Sequence, residues 1–196
     1  MFIERVDPSA ADETLRTWYD GQQAMWGFLP DYAGALSHRP DAALAWGALN
    51  QTIRGSMDRR RFEIATIAAA RARRSTVCTV AHSSFLRDVV GDDETLASLC
   101  EHPDGSGLDE VDRAVHEFAT KVATDPASID QGDVDRLRTL GLSDTDVTNV
   151  ALAVGARLFF TAVLDALGAQ ADSPTAQTFP PEQLESMVVG RPVADV

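Results

Sequence analysis

Apolar residues recur every three to four positions through most of this 196-residue chain, a period that gathers them on one side of a helix. Alternation at period two is scarce, and Ala, Leu, Arg, Glu and Asp dominate, so the pattern predicts an all-α protein. The first helix spans Asp12 to Trp26 and ends near Gly27, where Gly27-Phe28-Leu29-Pro30-Asp31 makes a turn. A short piece follows from Tyr32 to Ser37. Pro40 then opens a helix from Asp41 to Arg54, with Leu44, Leu49 and Ile53 on its inner side and Gly55 past its end.

Two helices, Asp58 to Ala72 and Ser75 to Val90, occupy the middle of the chain and close at Gly91-Asp92-Asp93. A short helix from Glu94 to Cys100 leads into the loop His102-Pro103-Asp104-Gly105-Ser106-Gly107. Asp109 to Ala123 is helical again, with Val111, Val115, Phe118 and Val122 as its apolar stripe. Asp130 to Leu140 and Ser143 to Leu167 follow, the latter opened by capping residues at Ser143-Asp144-Thr145-Asp146. Leu142 to Gly168 echoes Met57 to Gly91 in pattern, which suggests an internal duplication. Residues 1–171 are read as one helical domain. Residues 172–196, rich in Pro, Ser and Thr with one amphipathic piece from Glu182 to Val189, are read as an extension that packs on the domain or on a neighbouring subunit.

Composition narrows the function. With 30 acidic against 17 basic residues the net charge is -13, so the chain lacks the basic footprint that nucleic acids or anionic membranes require. The apolar run Val147 to Leu167 carries Asn149, Arg157 and Asp165, which reads as too polar for a membrane span. Cys78 and Cys100, in a chain whose start meets charge at once, fit a reducing cytoplasmic setting. Nothing resembles a phosphate-cradling glycine loop or a nucleotide fingerprint, and no cofactor is expected.

One constellation reads as chemistry. Cys78 and His82 stand at i,i+4, which stacks thiol and imidazole on one helix face. Ser75 sits where an N-cap hydroxyl belongs, so the thiol falls in the first helical turn. A free thiol has a pKa of about 8.5, and a helix N-terminus lowers that by roughly one unit at most, so a proton acceptor is needed. His82 is that acceptor, and Glu63 on the preceding helix orients it or relays its proton. The bland readings stand beside this one: Cys78 as a small buried hydrophobe, Ser75 as a plain cap, Glu63 as a solvated first-turn carboxylate. Zinc on Cys78, His82 and Glu63 lacks a further ligand nearby, so no metal is expected.

Glu63, eleven residues, Ser75-x-x-Cys78-x-x-x-His82 resembles the alkylhydroperoxidase AhpD-like and carboxymuconolactone decarboxylase family, particularly its uncharacterised peroxidase-related branch. Gly27-Phe28-Leu29-Pro30-Asp31-Tyr32, Arg39-Pro40, the stretch from Asp133 to Ser143 and Gly190-Arg191-Pro192 look like that branch as well. The resemblance implies an AhpD-like helical bundle of two related halves, assembled as a homo-oligomer, a trimer or hexamer. In redox members two cysteines cycle through a disulfide while Glu and His relay protons. Cys78, His82 and Glu63 fall on the second cysteine, the histidine and the glutamate, but Ser75 falls on the first cysteine, so that disulfide cannot form. Three readings follow: a one-cysteine peroxidase acting on a hydroperoxide with an external thiol reductant, a non-redox acid-base enzyme acting on a small organic acid or lactone, or a non-catalytic oligomer.

Other signals have two readings each. Trp18, Trp26, Phe28, Tyr32 and Trp46 wall a pocket or fill the core. Phe159, Phe160 and Val163 form a subunit interface or a core helix. Arg71, Arg73 and Arg74 support an anion or are simply solvated, and His102 and His116 are expected at the surface.

Overall fold

Alanine decides the packing at the centre of the molecule. The computed structural model describes residues 1–195, and every regular element among them is helical. Helix α4 (Arg59–Ala72) is buried without interruption from Phe62 to Ala70, because Ala65, Ala68, Ala69 and Ala70 let neighbouring helices approach on several sides. The elements before it are α1 (Glu13–Trp26), α2 (Asp31–Ala35) and α3 (Pro40–Gly55); after it come α5 (Thr76–Phe85), a π-helical turn over Leu86–Val90, and α6 (Asp93–Glu101). Helices α7 (Glu110–Thr124), α8 (Gln131–Thr139) and α9 (Asp144–Leu167) follow, with α10 (Ser173–Ala176) and α11 (Pro181–Met187) in the tail.

Four apolar clusters meet at α4, the smallest through Phe62 against Ile53, Ala153 and Ala156. Its alanines pack on Val115, Phe118 and Ala119 of α7 and on Val150 and Val154 of α9. Ile64 and Ile67 face Val80, Leu86, Leu96, Leu99 and the tail residues Phe179 and Met187. On the third side Ala70 joins Trp18, Tyr19, Val77, Cys78 and Phe160. Fully burying a side chain the size of Phe or Leu contributes about 1.5–3 kcal/mol, so this convergence makes α4 the most constrained helix available to carry a site. Arg60 fixes its first turn by donating to Asp92 Oδ2 at 2.5 Å and to Thr95 Oγ1 at 2.7 Å.

Local chemistry sets the ends. Asp12, Asp58, Asp92 and Asp109 cap their helices through side-chain oxygens, and Ser143 with Asp146 forms a reciprocal capping box at α9. Gly27, Gly91 and Gly168 end α1, the π-helical turn and α9 in the left-handed conformation. Arg74 adopts φ 56 and separates α4 from α5. No such break interrupts α9, so the stretch that echoes the α4–α5 pair is one continuous rod of 24 residues.

Four expectations change. Ser75 to Val90 is α5 plus a π-helical turn rather than one helix. Leu49 is 52% exposed, because α3 turns Ile53 and Ala43 inward instead. By length and composition α9 meets the requirements of a membrane span, contrary to the reading of its polar residues, yet in the fold it packs against α3, α4 and α7 with Asn149 and Arg157 buried. His116 is buried beneath Gly105, where a side chain would meet its ring, and both ring nitrogens lack a partner among the described residues, whereas His102 is exposed. The tail lies on the domain: Gly190 N donates to Thr76 Oγ1 and Arg191 donates to Asp165 O, both at 2.9 Å.

Candidate functional site

The rigid α4 and the first turns of α5 bring three of the four candidate residues together. Glu63 is fully buried, and its two oxygens accept from different partners: Arg59 Nε at 2.6 Å and His82 Nδ1 at 2.5 Å. Burial alone raises a carboxyl pKa, but the contacts with His82 and Arg59 outweigh it and hold Glu63 below its ordinary value. Burial together with the nearby Arg157 drives His82 down to about 4, against the pull of Glu63. A neutral imidazole beside an ionised carboxylate must carry its hydrogen on Nδ1, since the carboxylate has none to give. Nε2 is therefore the basic nitrogen, as a general base requires.

Cys78 is the third residue of α5, one turn before His82 on the same face, so the expected placement in the first turn is what the fold contains. The unexpected neighbour is Arg157. This arginine is 3% exposed, and its Nη1 donates to Cys78 Sγ at 3.5 Å. Its guanidinium lies 5.6 Å from the ring centre of Trp46 and 5.5 Å from that of Phe160, and those two rings stack at 3.7 Å.

Cys78, His82 and Arg157 line one cavity of about 400 Å³. Trp18, Trp26, Tyr32, Trp46 and Phe85 form much of its wall, with Tyr32 held by an accepted bond from Trp26 Nε1 at 2.9 Å and by donation to Gln22. Of the five aromatic residues concentrated early in the chain, only Phe28 stays off the cavity, although its ring lies against Trp26.

Solved structures share this architecture. Over 97% of both chains, with a TM-score of 0.79 and 20% identity, the fold matches an alkylhydroperoxidase AhpD core structure, an uncharacterised peroxidase-related protein from Ralstonia eutropha JMP134. The chain has the AhpD-like fold. An uncharacterised peroxidase-related protein from Silicibacter sp. TM1040 matches at TM-score 0.75 and 20% identity, over 88% of this chain and 93% of its own. A cysteine-to-alanine variant of the debrominase Bmp8, in complex with 2,3,4-tribromopyrrole, matches at TM-score 0.75 and 20% identity, over 95% of this chain and 97% of its own. No protein-family model and no curated protein sequence matches the chain.

Within the AhpD-like fold, Ser75 departs from its expected roles. It occupies the N-cap position of α5 but makes no capping bond, and it does not line the cavity. Its buried hydroxyl lies beside Asp165 without an aligned hydrogen bond, on the side covered by the tail. Arg73 and Arg74 are exposed, Arg74 donating to Val189 O, while Arg71 lines a different cavity with His116. The arginines that contact Glu63 and Cys78 are instead Arg59 and Arg157. A lone charge in the apolar middle of α9 was the signal for Arg157, because an unpaired charge is costly in such a core. Phe160 is core and stacks on Trp46, whereas its neighbour Phe159 is 52% exposed.

Proposed function

We propose that this chain is a peroxidase-related thiol oxidoreductase in which Cys78 is the single working thiol, His82 its base and Glu63 the residue that orients His82. The reading rests on one observation: a buried Glu63–His82 pair and the Cys78 sulfur, contacted by Arg157, meet at one aromatic-walled cavity.

In this reading His82 Nε2 takes the thiol proton and Arg157 stabilises the thiolate. The sulfur attacks the distal oxygen of a hydroperoxide, the O–O bond breaks, and the departing alkoxide receives the proton from His82. Cys78 becomes a sulfenic acid and the hydroperoxide an alcohol. Ser75 offers no second thiol, so an external thiol condenses with the sulfenic acid, releasing water and leaving a mixed disulfide. A second external thiol then frees Cys78 and departs as part of a disulfide. The two reducing thiols supply the two electrons.

The aromatic wall favours an organic hydroperoxide over hydrogen peroxide, and the tribromopyrrole complex of a similar fold is consistent with an aromatic occupant. The open cavity beside Cys78 argues against a non-catalytic role. A second reading, non-redox proton transfer by His82 and Glu63 on a small organic acid or lactone, draws on the neutral state of His82, which serves that chemistry equally well.

Intact-mass measurement after a brief pulse of cumene hydroperoxide decides between them. The thiol reading expects one added oxygen on Cys78, none on Cys100, and loss of turnover in Cys78→Ser. Absence of that oxygen, or retention of activity in Cys78→Ser, removes the thiol reading.

A further inference from the structure

Two arginines on the cavity, Arg54 of α3 and Arg157 of α9, have no carboxylate partner among the described residues. Other arginines also lack a carboxylate partner, but Arg54 and Arg157 share one cavity wall and Arg157 is buried, which calls for an explanation. Arg59, also on the wall, is neutralised by Glu63, and no Asp or Glu among the described residues lines the cavity. The cavity is thus a cationic interior within an acidic protein.

Arg157 is the sharper case. It is 3% exposed, its Nε is buried without a partner, and its acceptor is a cysteine sulfur at 3.5 Å. A buried charge held this way is costly unless something anionic completes it. A Cys78 thiolate accounts for one face of one guanidinium. It does not account for Arg54, which sits half-buried on a different helix of the same wall. Trp46 and Phe160 stack together beneath the Arg157 guanidinium, which leaves a flat aromatic floor next to a fork of donors.

We propose that this cavity binds a small aromatic carboxylate, its ring against the Trp46, Trp26 and Phe85 walls and its carboxylate on Arg157 and Arg54. The proposal rests on the reading of this cavity as the substrate site and adds a ring-borne carboxylate to the organic hydroperoxide named there. The guanidinium fork matches the two carboxylate oxygens, and about 400 Å³ with an aromatic wall accommodates a substituted ring. The same site discriminates against the neutral amide of equal shape, because that ligand leaves both arginines uncompensated.

All three tryptophans of the chain line the cavity, so intrinsic fluorescence reports occupancy directly. The test uses Cys78→Ser, which separates binding from thiol chemistry, titrated with benzoate, benzamide and acetate. Benzoate is expected to bind about tenfold or more tighter than either of the others, a gap of about 1.4 kcal/mol or more. Arg157→Met, a substitution of similar length, and Arg54→Met at the half-buried position should each erase most of that preference by weakening benzoate far more than benzamide. Circular dichroism confirms that each variant is folded, and Arg54→Met alone carries the test if Arg157→Met does not fold. Equal affinity for benzoate and benzamide, no binding of benzoate, or a preference that survives substitution of both arginines overturns the proposal. Absence of the preference in Cys78→Ser, where cumene hydroperoxide still oxidises Cys78 of the unsubstituted chain, removes this inference and leaves the thiol reading intact. Selective benzoate binding in a chain whose Cys78 resists the hydroperoxide does the reverse.

Discussion

Arg157 Nη1 lies 3.5 Å from Cys78 Sγ, a contact made between residues 79 positions apart in the chain. It joins α9 to the first turn of α5 at the point where negative charge would develop on sulfur. A hydrogen bond to a charged group contributes about 1.5–3 kcal/mol, more than the roughly 0.3–1 kcal/mol of a helix N-terminus. On the thiol reading, the guanidinium is expected to support a thiolate more than the helix end does.

Replacing Arg157 by Met should therefore slow iodoacetamide alkylation of Cys78 at neutral pH by about tenfold or more, the rate equivalent of about 1.4 kcal/mol. Alkylation of Cys100, half-buried and away from this cavity, should be unchanged. Peptide-level mass spectrometry reads both thiols in one sample, and an unchanged Cys78 rate would show that Arg157 does not act on the sulfur.

Glu63 and His82 should behave as a unit. His82→Ala removes the base and is expected to cost on the order of 10²–10⁴ in the rate of Cys78 oxidation, the usual scale of acid-base catalysis. Glu63→Gln removes the charge that fixes the imidazole tautomer, and it leaves Arg59 without its partner. In the double variant the losses should overlap rather than multiply, because each substitution disables the same proton path. Stopped-flow kinetics on all four proteins completes the cycle, and multiplicative losses would mean that the two residues act independently.

Much of this arrangement was legible in the sequence, and the missing parts share a physical cause. The Cys78–His82 pairing follows from helical spacing, and the helical order follows from apolar periodicity with caps at Asp12, Asp58 and Ser143. Those are local rules. Arg157 at the sulfur and Trp46 against Phe160 depend on α9 crossing α3 and α5, which no local pattern encodes. The same limit explains Ser75. Its position as the N-cap is local and correct, but the approach of the tail and of Asp165, which leave its hydroxyl buried without a partner, is tertiary. His116 reads as a surface residue until the 102–107 loop closes over it through Gly105.

Stability should fall on acidification through a window that the two buried histidines define. His82 and His116 are each depressed to about 4, chiefly by burial, so between the ordinary histidine value and 4 the unfolded chain holds protons that the folded one refuses. Their contribution is complete above about pH 6.5 and is lost as pH falls towards 4. Asp172 acts in the opposite sense. Burial raises it to about 6, so the folded state holds an extra proton between 3.8 and 6 and this contribution is lost as pH rises. Asp165, also raised by burial, acts in the same sense as Asp172, but the two histidines outweigh both and leave a net rise of stability with pH from about 4 to 6.5. Thermal melts at intervals across that range test the sign. His116→Leu, which removes a buried ring with two unpaired nitrogens, should stabilise the protein more at pH 5 than at pH 7.5. A melting temperature that falls from pH 4.5 to 6.5 would contradict the assignment.

Ser75 lies at the N-cap and Cys78 three residues on, in the first turn of the same helix. One turn of helix separates Cα atoms by roughly 5–6 Å, within the range a disulfide spans. Ser75 is completely buried and its hydroxyl has no aligned hydrogen bond, only Asp165 beside it, so a thiol replaces it at little cost in hydrogen bonding. In Ser75→Cys the sulfenic acid formed at Cys78 should therefore be captured internally, with loss of water, before an external thiol arrives. After a hydroperoxide pulse, intact mass should show loss of two hydrogens instead of a gain of one oxygen. Steady-state turnover should then depend on a disulfide reductant rather than on a monothiol. A variant that still accumulates sulfenic acid would mean that the tail and Asp165 hold position 75 away from the sulfur, and that the single-thiol chemistry of this site is enforced by packing as well as by the identity of one residue.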